Sequence, residues 1–258
     1  MPSGAINGIQ LYYEASGEGP SAIVFAHGAG GNHLSWWQQV PFFNKRYKCV
    51  TFSHRRFHLS RDIPNGPGAS AFVADLVGLL DHLGIREAVL VGQSMGGITC
   101  FGFALSYPER VKALIMADTT LGIPSSQIRD VMATARKEQQ QKGVAPNSYS
   151  SSFPKREPAL YYLYEEIRAL NGNVGTADVS ATMPRTVPDV DLSKFAVPTL
   201  FLFGSEDAMI PPAAGRLAHE LIPGSEYVEV AGAGHSTYFE RPQEFNRAIA
   251  DFLSHVGV

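Results

Sequence analysis

Three side chains in this sequence have the types needed to attack a carbonyl: the hydroxyl of Ser94, the imidazole of His235 and the carboxylate of Asp207. A serine hydroxyl is a poor nucleophile until a neighbouring base takes its proton, and the base needs a carboxylate to hold its tautomer. Ser94 stands in Gly92-Gln93-Ser94-Met95-Gly96, between an apolar run of about five residues that reads as a buried strand and residues 98–105, which read as helix. A corner this tight strains its central residue, and only tiny side chains two positions either side leave room for it. Gly92 and Gly96 meet that demand. The hydroxyl is then held proud of the sheet edge, with the Met95 amide aimed at the reacting atom. In a chain with 25 glycines a chance match is the alternative, and the flanking strand and helix weigh against it.

His235 ends the glycine-rich loop Ala231-Gly232-Ala233-Gly234-His235 just after a strand, where it can reach across the sheet edge. Asp207 follows another strand end and is the expected orienting acid, with Glu206 and Asp118 as competitors. His33, His54, His58, His82, His219 and His255 lack such a setting, and the last three read as solvated helix residues. Glycines directly past a buried strand expose backbone amides, so in Gly28-Ala29-Gly30-Gly31 the Ala29 amide is the candidate second oxyanion donor beside Met95. A mere turn before a helix is the structural alternative. His27, Trp36, Arg56, His58 and Tyr161 are the candidate substrate contacts, although His27 reads more readily as a hydrogen-bonded scaffold residue.

The elements that must position these groups alternate. Strands are expected at 9–14, 21–27, 48–53, from 88, and at 111–117, 199–203 and 226–230; helices at 36–44, 69–83, 211–221 and 242–255. The alternation argues an α/β protein with a parallel, doubly wound sheet, whose ligands bind past the carboxyl ends of the strands. From about 120 to 190 the strand rhythm disappears: 125–142 reads as a polar helix ending at Gly143, 147–154 as a serine-rich loop, and 158–170 as a helix carrying Tyr161, Tyr162 and Tyr164. An insertion of this kind is expected to cap the site, dividing the chain into a core of 1–119 and 191–258 and a helical cap of 120–190. Packing the cap onto the core is the simpler role for the tyrosines.

Composition narrows the partners. The 258 residues are 45% hydrophobic, enough for one sizeable core, and a net charge of -3 offers no attraction to nucleic acid or to an anionic membrane. Cys49 and Cys100 are too few for a disulfide framework and read as buried free thiols. The opening residues lack a leader pattern and no apolar run reaches spanning length, so the expectation is a cytoplasmic monomer or homodimer acting on a small-molecule substrate.

Taken together, His27-Gly28-Ala29-Gly30, the elbow Gly92-Gln93-Ser94-Met95-Gly96-Gly97, Gly204-x-x-Asp207 and Gly234-His235 resemble the α/β-hydrolase superfamily, of the capped serine esterase or lactonase type. The resemblance spans nearly the whole chain outside the cap. It implies an eight-stranded, mostly parallel sheet flanked by helices, a covalent acyl-enzyme and no cofactor; from the residues themselves no metal is expected. Relatives that dehalogenate or open epoxides carry Asp at the elbow, which Ser94 excludes. After the strand expected at 48–53, relatives commonly show Asp-x-Arg-Gly-x-Gly-x-Ser, whereas this chain has Ser53-His54-Arg55-Arg56-Phe57-His58-Leu59-Ser60. Arg56 and His58 replace two glycines, so the same turn cannot form without strain. His54 and His58 with Arg55 and Arg56 are weak candidates for a metal, better ones for an anionic substrate group, and best read as a solvated or salt-bridged loop.

The expected activity is hydrolysis of an ester or lactone of a small, largely apolar acid, rising with pH as His235 loses its proton near about 6.5. Alternatives on the same machinery are hydrolysis of a carbon–carbon bond in ring-cleavage products, a cofactor-free oxygenase or lyase, and a ligand receptor. Carbon–carbon hydrolases usually carry a longer, Pro- and Asn-containing variant of the segment here spanning 28–37.

Overall fold

Apolar runs without alternation require cover on both faces of a sheet. The computed structural model describes residues 2–141, 146–172, 174, 176–182 and 190–258. Among them, eight strands form one sheet in the order β1-β2-β4-β3-β5-β6-β7-β8. They are β1 Ser3–Ile6, β2 Ile9–Ser16, β3 Ala22–Ala26, β4 Lys48–Phe52, β5 Ala88–Gln93, β6 Val111–Ala117, β7 Thr199–Gly204 and β8 Glu226–Val230. The pairs β1–β2 and β2–β4 are antiparallel and all others are parallel. Strands β3, β5 and β7 are buried at every position.

The described helices are α1 Val40–Phe43, α2 Phe72–His82, α3 Met95–Ser106, α4 Ser126–Gln141, α5 Phe153–Arg156, α6 Pro158–Ala169, α7 Thr176–Thr182, α8 Pro212–Leu221, α9 Thr237–Glu240 and α10 Pro242–His255. Val24, Leu90 and Phe201 point to the face covered by α2, α3 and α8, where Leu76, Phe103 and Ala218 meet them. Their strand neighbours Phe25, Val91 and Leu202 point to the other face, against Phe43, Phe245 and Ile249 of α1 and α10. Cys49 and Cys100 are buried and unpaired, and burial pushes the Cys49 thiol up to about 12, which keeps it protonated and inert.

Three expectations need correction. Strand β1 was not foreseen, although its signal is present: Asn7-Gly8, both with positive φ (46° and 81°), make the two-residue turn into β2. The helix expected at 36–44 is a 3-10 turn at His33–Trp36 followed by the short α1, because Pro41 at the helix start has no amide for a continuous ladder. The serine-rich stretch at 147–154 runs into α5 rather than remaining loop. Lys142 and Gly143, expected to close the helix that begins at Ser126, lie outside the described residues.

The atypical loop after β4 makes its turn by accepting the strain. Arg56 and His58 both hold positive φ, 80° and 45°. The loop is tied down by Arg55, whose side chain is buried: Nε and Nη2 donate to Asp75 at 2.8 Å each, Nη1 to Asp62 at 2.9 Å, and Nη2 also to the Asn7 carbonyl at 2.9 Å. Arg55 is thus committed to the scaffold and not to a substrate anion.

Candidate active site

The site begins at the end of β5. Ser94 has φ 49° and ψ -116°, between the last strand residue Gln93 and the first helical residue Met95. A Cβ on Gly96 would sit 2.1 Å from the Ala26 carbonyl oxygen, and one on Gly92 would sit 2.6 Å from the Gly96 carbonyl oxygen. Both contacts are with backbone, which cannot swing aside, so the strained corner requires both glycines. The corner is fixed by the Ser94 amide, donating to the Ala117 carbonyl at 3.1 Å, and by the Thr119 hydroxyl, donating to the Ser94 carbonyl at 2.9 Å.

His235 Nε2 lies 2.8 Å from Ser94 Oγ, and Nδ1 lies 2.8 Å from Asp207 Oδ2. A carboxylate can only accept, so the proton belongs on Nδ1 and the Nε2 lone pair faces the serine hydroxyl. Asp207 Oδ1 accepts from the amides of Met209 and Ile210 at 2.8 and 2.9 Å, which fixes the carboxylate. Of its competitors, Glu206 is exposed, its amide donating to the Ala233 carbonyl. Asp118 is a cross-tie: Oδ1 accepts from the Gly204 amide at 2.9 Å and the Thr237 hydroxyl at 2.8 Å, and Oδ2 from the Thr237 amide at 3.0 Å. It joins the end of β7 to the turn after His235.

The electrostatics follow from burial and these contacts. Burial alone would lower the His235 pKa, but the charge and hydrogen bond of Asp207, with Asp118 and Glu240 beyond, outweigh it and hold the imidazole above its ordinary 6.5. Burial, reinforced by the charge of Asp207, raises Asp118 from 3.8 to about 7.

The Met95 amide, at the first position of α3, has no carbonyl within the helix to donate to. Ala29 lines the cavity, and among the described residues its amide has no backbone acceptor. The loop bearing Ala29 is braced from below by His27, whose Nδ1 donates to the Gly28 carbonyl at 2.7 Å and whose Nε2 accepts from the His54 amide at 2.9 Å. Burial drives the His27 pKa down to about 3, so the ring is neutral.

The expected substrate contacts fare unevenly. Ser94, His235 and Ala29 line one cavity of about 330 Å³. His27 is buried beneath the loop and does not line it. Trp36 is 0% exposed and packs against Phe25, Tyr238 and Phe245 in the core, because the 3-10 turn points it inward. Arg56 and His58 lie outside the cavity wall, and His58 stacks on His33 with Nδ1 3.3 Å from the Leu170 carbonyl. His54 is buried with Nε2 2.9 Å from the Thr99 hydroxyl, which leaves no histidine pair for a metal in this loop. Tyr161 meets Tyr149 at its hydroxyl, whereas Tyr164, one turn later on α6, reaches the cavity. The walls carry Gln93, Ser148, Glu165, Arg168, Asn171 and Ser236, and are more polar than the expected apolar acid requires.

Two ties were missed from the sequence. Glu240, buried, accepts from the Gly234 amide at 2.9 Å and from the Ser150 amide and hydroxyl at 3.1 and 2.5 Å, so one carboxylate holds both the loop carrying His235 and the segment preceding α5. Asn171 Nδ2 donates to the carbonyls of Gly30 and Gly31 at 3.3 and 3.0 Å, while Asn32 Nδ2 donates to the Ile167 carbonyl at 2.8 Å. The end of α6 is thereby clasped to the loop bearing Ala29. Only the capping pattern Asn32-x-x-Ser35, realised here, hinted at either.

Among the described residues no group of three His, Cys, Asp or Glu side chains could hold a metal ion, and no helix is long and apolar enough to cross a membrane. A family model described as the alpha/beta hydrolase fold matches residues 21–151 and 127–242. The 3-oxoadipate enol-lactonase 2 of Acinetobacter baylyi is 28% identical over 247 residues, 93% of this chain and 92% of that one. The 2-hydroxy-6-oxononadienedioate/2-hydroxy-6-oxononatrienedioate hydrolase of Burkholderia vietnamiensis is 29% identical over 263 residues, covering 95% and 91%. Among solved structures, a malate-bound thermophilic esterase from Thermogutta terrifontis superposes with a TM-score of 0.78 at 28% identity, covering 99% of this chain and 97% of that one.

Proposed function

This chain belongs to the alpha/beta hydrolase fold family, and from that premise we propose that it is a serine hydrolase cleaving a carboxylic ester or lactone of a small acid through an acyl-enzyme. The observation that carries the reading is the unbroken relay of two 2.8 Å contacts from Ser94 Oγ through His235 to Asp207. His235 Nε2 takes the hydroxyl proton as Oγ bonds to the carbonyl carbon, and Asp207 holds the tautomer and offsets the imidazolium charge. The tetrahedral oxyanion is received by the amides of Ala29 and Met95, each such donor contributing about 3 kcal/mol to the barrier reduction. The imidazolium returns its proton to the leaving alkoxide as the carbon–oxygen bond breaks. Water, deprotonated by the same His235, then releases the acid and restores Ser94.

The helices between β6 and β7 act as a cap in this reading, α6 closing the cavity through the Asn32 and Asn171 ties. A small cavity suits a small-molecule substrate. The free, buried thiols suit a reducing compartment, and the proposal includes a cytoplasmic site of action as monomer or homodimer. A second reading, hydrolysis of a carbon–carbon bond, is favoured by the Burkholderia vietnamiensis relative and uses the same three residues. A turnover screen of aryl esters, alkyl esters, lactones and a vinylogous diketone, run beside Ser94→Ala, tests both. Preferred ester or lactone turnover that vanishes in the variant supports the proposal. Turnover that survives Ser94→Ala refutes it, and preferred diketone cleavage selects the second reading.

A further inference from the structure

Two charged side chains in the cavity wall, Arg168 and Glu165, have no part in the relay. Arg168, on α6, lines the same cavity as Ser94, and its guanidinium lies over the Tyr164 ring at 5.7 Å from the centroid. Its shaft passes over the loop bearing Ala29, with Nε 3.3 Å from where a Gly30 Cβ would stand. A side chain at Gly30 would press on this arm, so the glycine keeps room for it beside the oxyanion donors. Arg168 has five N–H donors, and its one hydrogen bond to a described residue runs from Nη1 to Glu165 at 3.0 Å. That partner is three residues away on the same helix, and both side chains are about 40% exposed (40% and 39%). A pair this open to water is weak and easily exchanged.

The amide donors in this wall are engaged: Asn171 with the Gly30 and Gly31 carbonyls, and Gln93 with the His235 carbonyl. The remaining polar wall residues named above, Gln93, Ser148 and Ser236, are neutral. Arg168 and Glu165 are the charged side chains that line the cavity among the described residues, and the three acids that act on the imidazole from behind, Asp207, Asp118 and Glu240, do not reach the wall. A ligand carboxylate entering here meets a planar fork whose carbon lies 5.7 Å from the Tyr164 ring centroid, and replaces Glu165 as its partner while Glu165 turns to water.

We propose that Arg168 is the specificity-determining residue for a second carboxylate on the acid, so that the preferred substrate is the half-ester, or the carboxylate-bearing lactone, of a short dicarboxylic acid. This rests on the hydrolase reading of Ser94 and deepens it. The scissile carbonyl lies at Ser94 while the distal carboxylate lies at Arg168, and no bond changes at the guanidinium.

The test pairs binding with turnover. Calorimetry measures glutarate against valerate, and a pH-stat assay measures monomethyl glutarate against methyl valerate, in the wild type, Arg168→Gln, Arg168→Lys and Glu165→Gln. Glutarate is expected to bind about tenfold tighter than valerate, with a matching kcat/KM preference for the charged ester. Both ratios fall towards unity in Arg168→Gln, are partly kept in Arg168→Lys, and Glu165→Gln strengthens glutarate binding. Equal binding of the two acids in the wild type, a ratio unmoved by Arg168→Gln, or weaker glutarate binding in Glu165→Gln overturns the assignment. Absence of ester turnover in a protein that still prefers glutarate removes the hydrolase reading and leaves the carboxylate site standing.

Discussion

Gln93 donates through Nε2 to the backbone carbonyl of His235 at 2.7 Å. The residue just before Ser94, the proposed nucleophile, therefore grips the main chain of His235, the proposed base, 142 positions later, so the Ser94–His235 distance is set by backbone as well as by the imidazole itself. Gln93→Ala should lower kcat by about 10- to 100-fold with a smaller change in KM, because the loss is one of alignment. Steady-state kinetics on a turned-over ester decide it; a change confined to KM would place Gln93 in substrate binding instead.

The pH profile follows from the raised His235. As the proposed base, His235 must be neutral, and Asp207 holds its pKa above 6.5, so kcat/KM should rise with pH through a midpoint above that value. In Asp207→Asn the raising charge is gone and burial prevails: the midpoint moves down, and the rate falls on the order of 10⁴-fold as the tautomer is lost. Rate profiles over about pH 5 to 9 check both shifts. A midpoint unmoved by the substitution would contradict the relay.

Asp118 makes a separate prediction about stability. Folded, it keeps its proton to about 7, whereas its ordinary value is 3.8. Between those values the folded state holds more protons, so this group's contribution to unfolding free energy is fully present below 3.8 and is lost as pH rises to 7. Asp118→Asn should flatten that slope while lowering stability by about 1–3 kcal/mol, since an amide has one acceptor oxygen where the carboxyl uses two, and its NH2 would face either the Thr237 amide or the Gly204 amide. Urea unfolding across the range measures it, and parallel slopes in the two proteins would count against the raised pKa.

Asn171→Ala unclasps α6 from Gly30 and Gly31. Because the freed loop carries Ala29, the proposed oxyanion donor, kcat should fall about tenfold while binding of the substrate ground state changes less. A rise in KM alone, with kcat intact, would confine Asn171 to holding the cap.

What was legible in the sequence is what depends on neighbours in the chain. The elbow is a local device: two glycines, a strand and a helix within about a dozen residues specify where Ser94 points. Asp207 and His235 were legible because each sits just past a strand of a parallel sheet, and the winding of the chain brings those ends together. The role of Trp36 was not, because a single turn of 3-10 helix decides whether its ring faces cavity or core. Glu240 and Asn171 left no local trace either: their partners lie 90 and 140 residues away in sequence, at Ser150 and Gly31, and only the assembled fold brings a buried carboxylate to backbone amides and a side-chain amide to backbone carbonyls. The loop at Arg56 and His58 was legible in outline, since two missing glycines announce strain, but the Arg55 network that sustains it depends on Asp75 and Asn7 from elsewhere.

The relay itself is tested most directly by its effect on serine reactivity. Incubating the protein with a fluorophosphonate and locating the adduct by peptide mass spectrometry should show one label per chain, on Ser94, formed rapidly in the wild type and not in His235→Ala. A label on another residue, or one formed equally fast without the imidazole, would contradict the assignment of Ser94 as a nucleophile activated by His235.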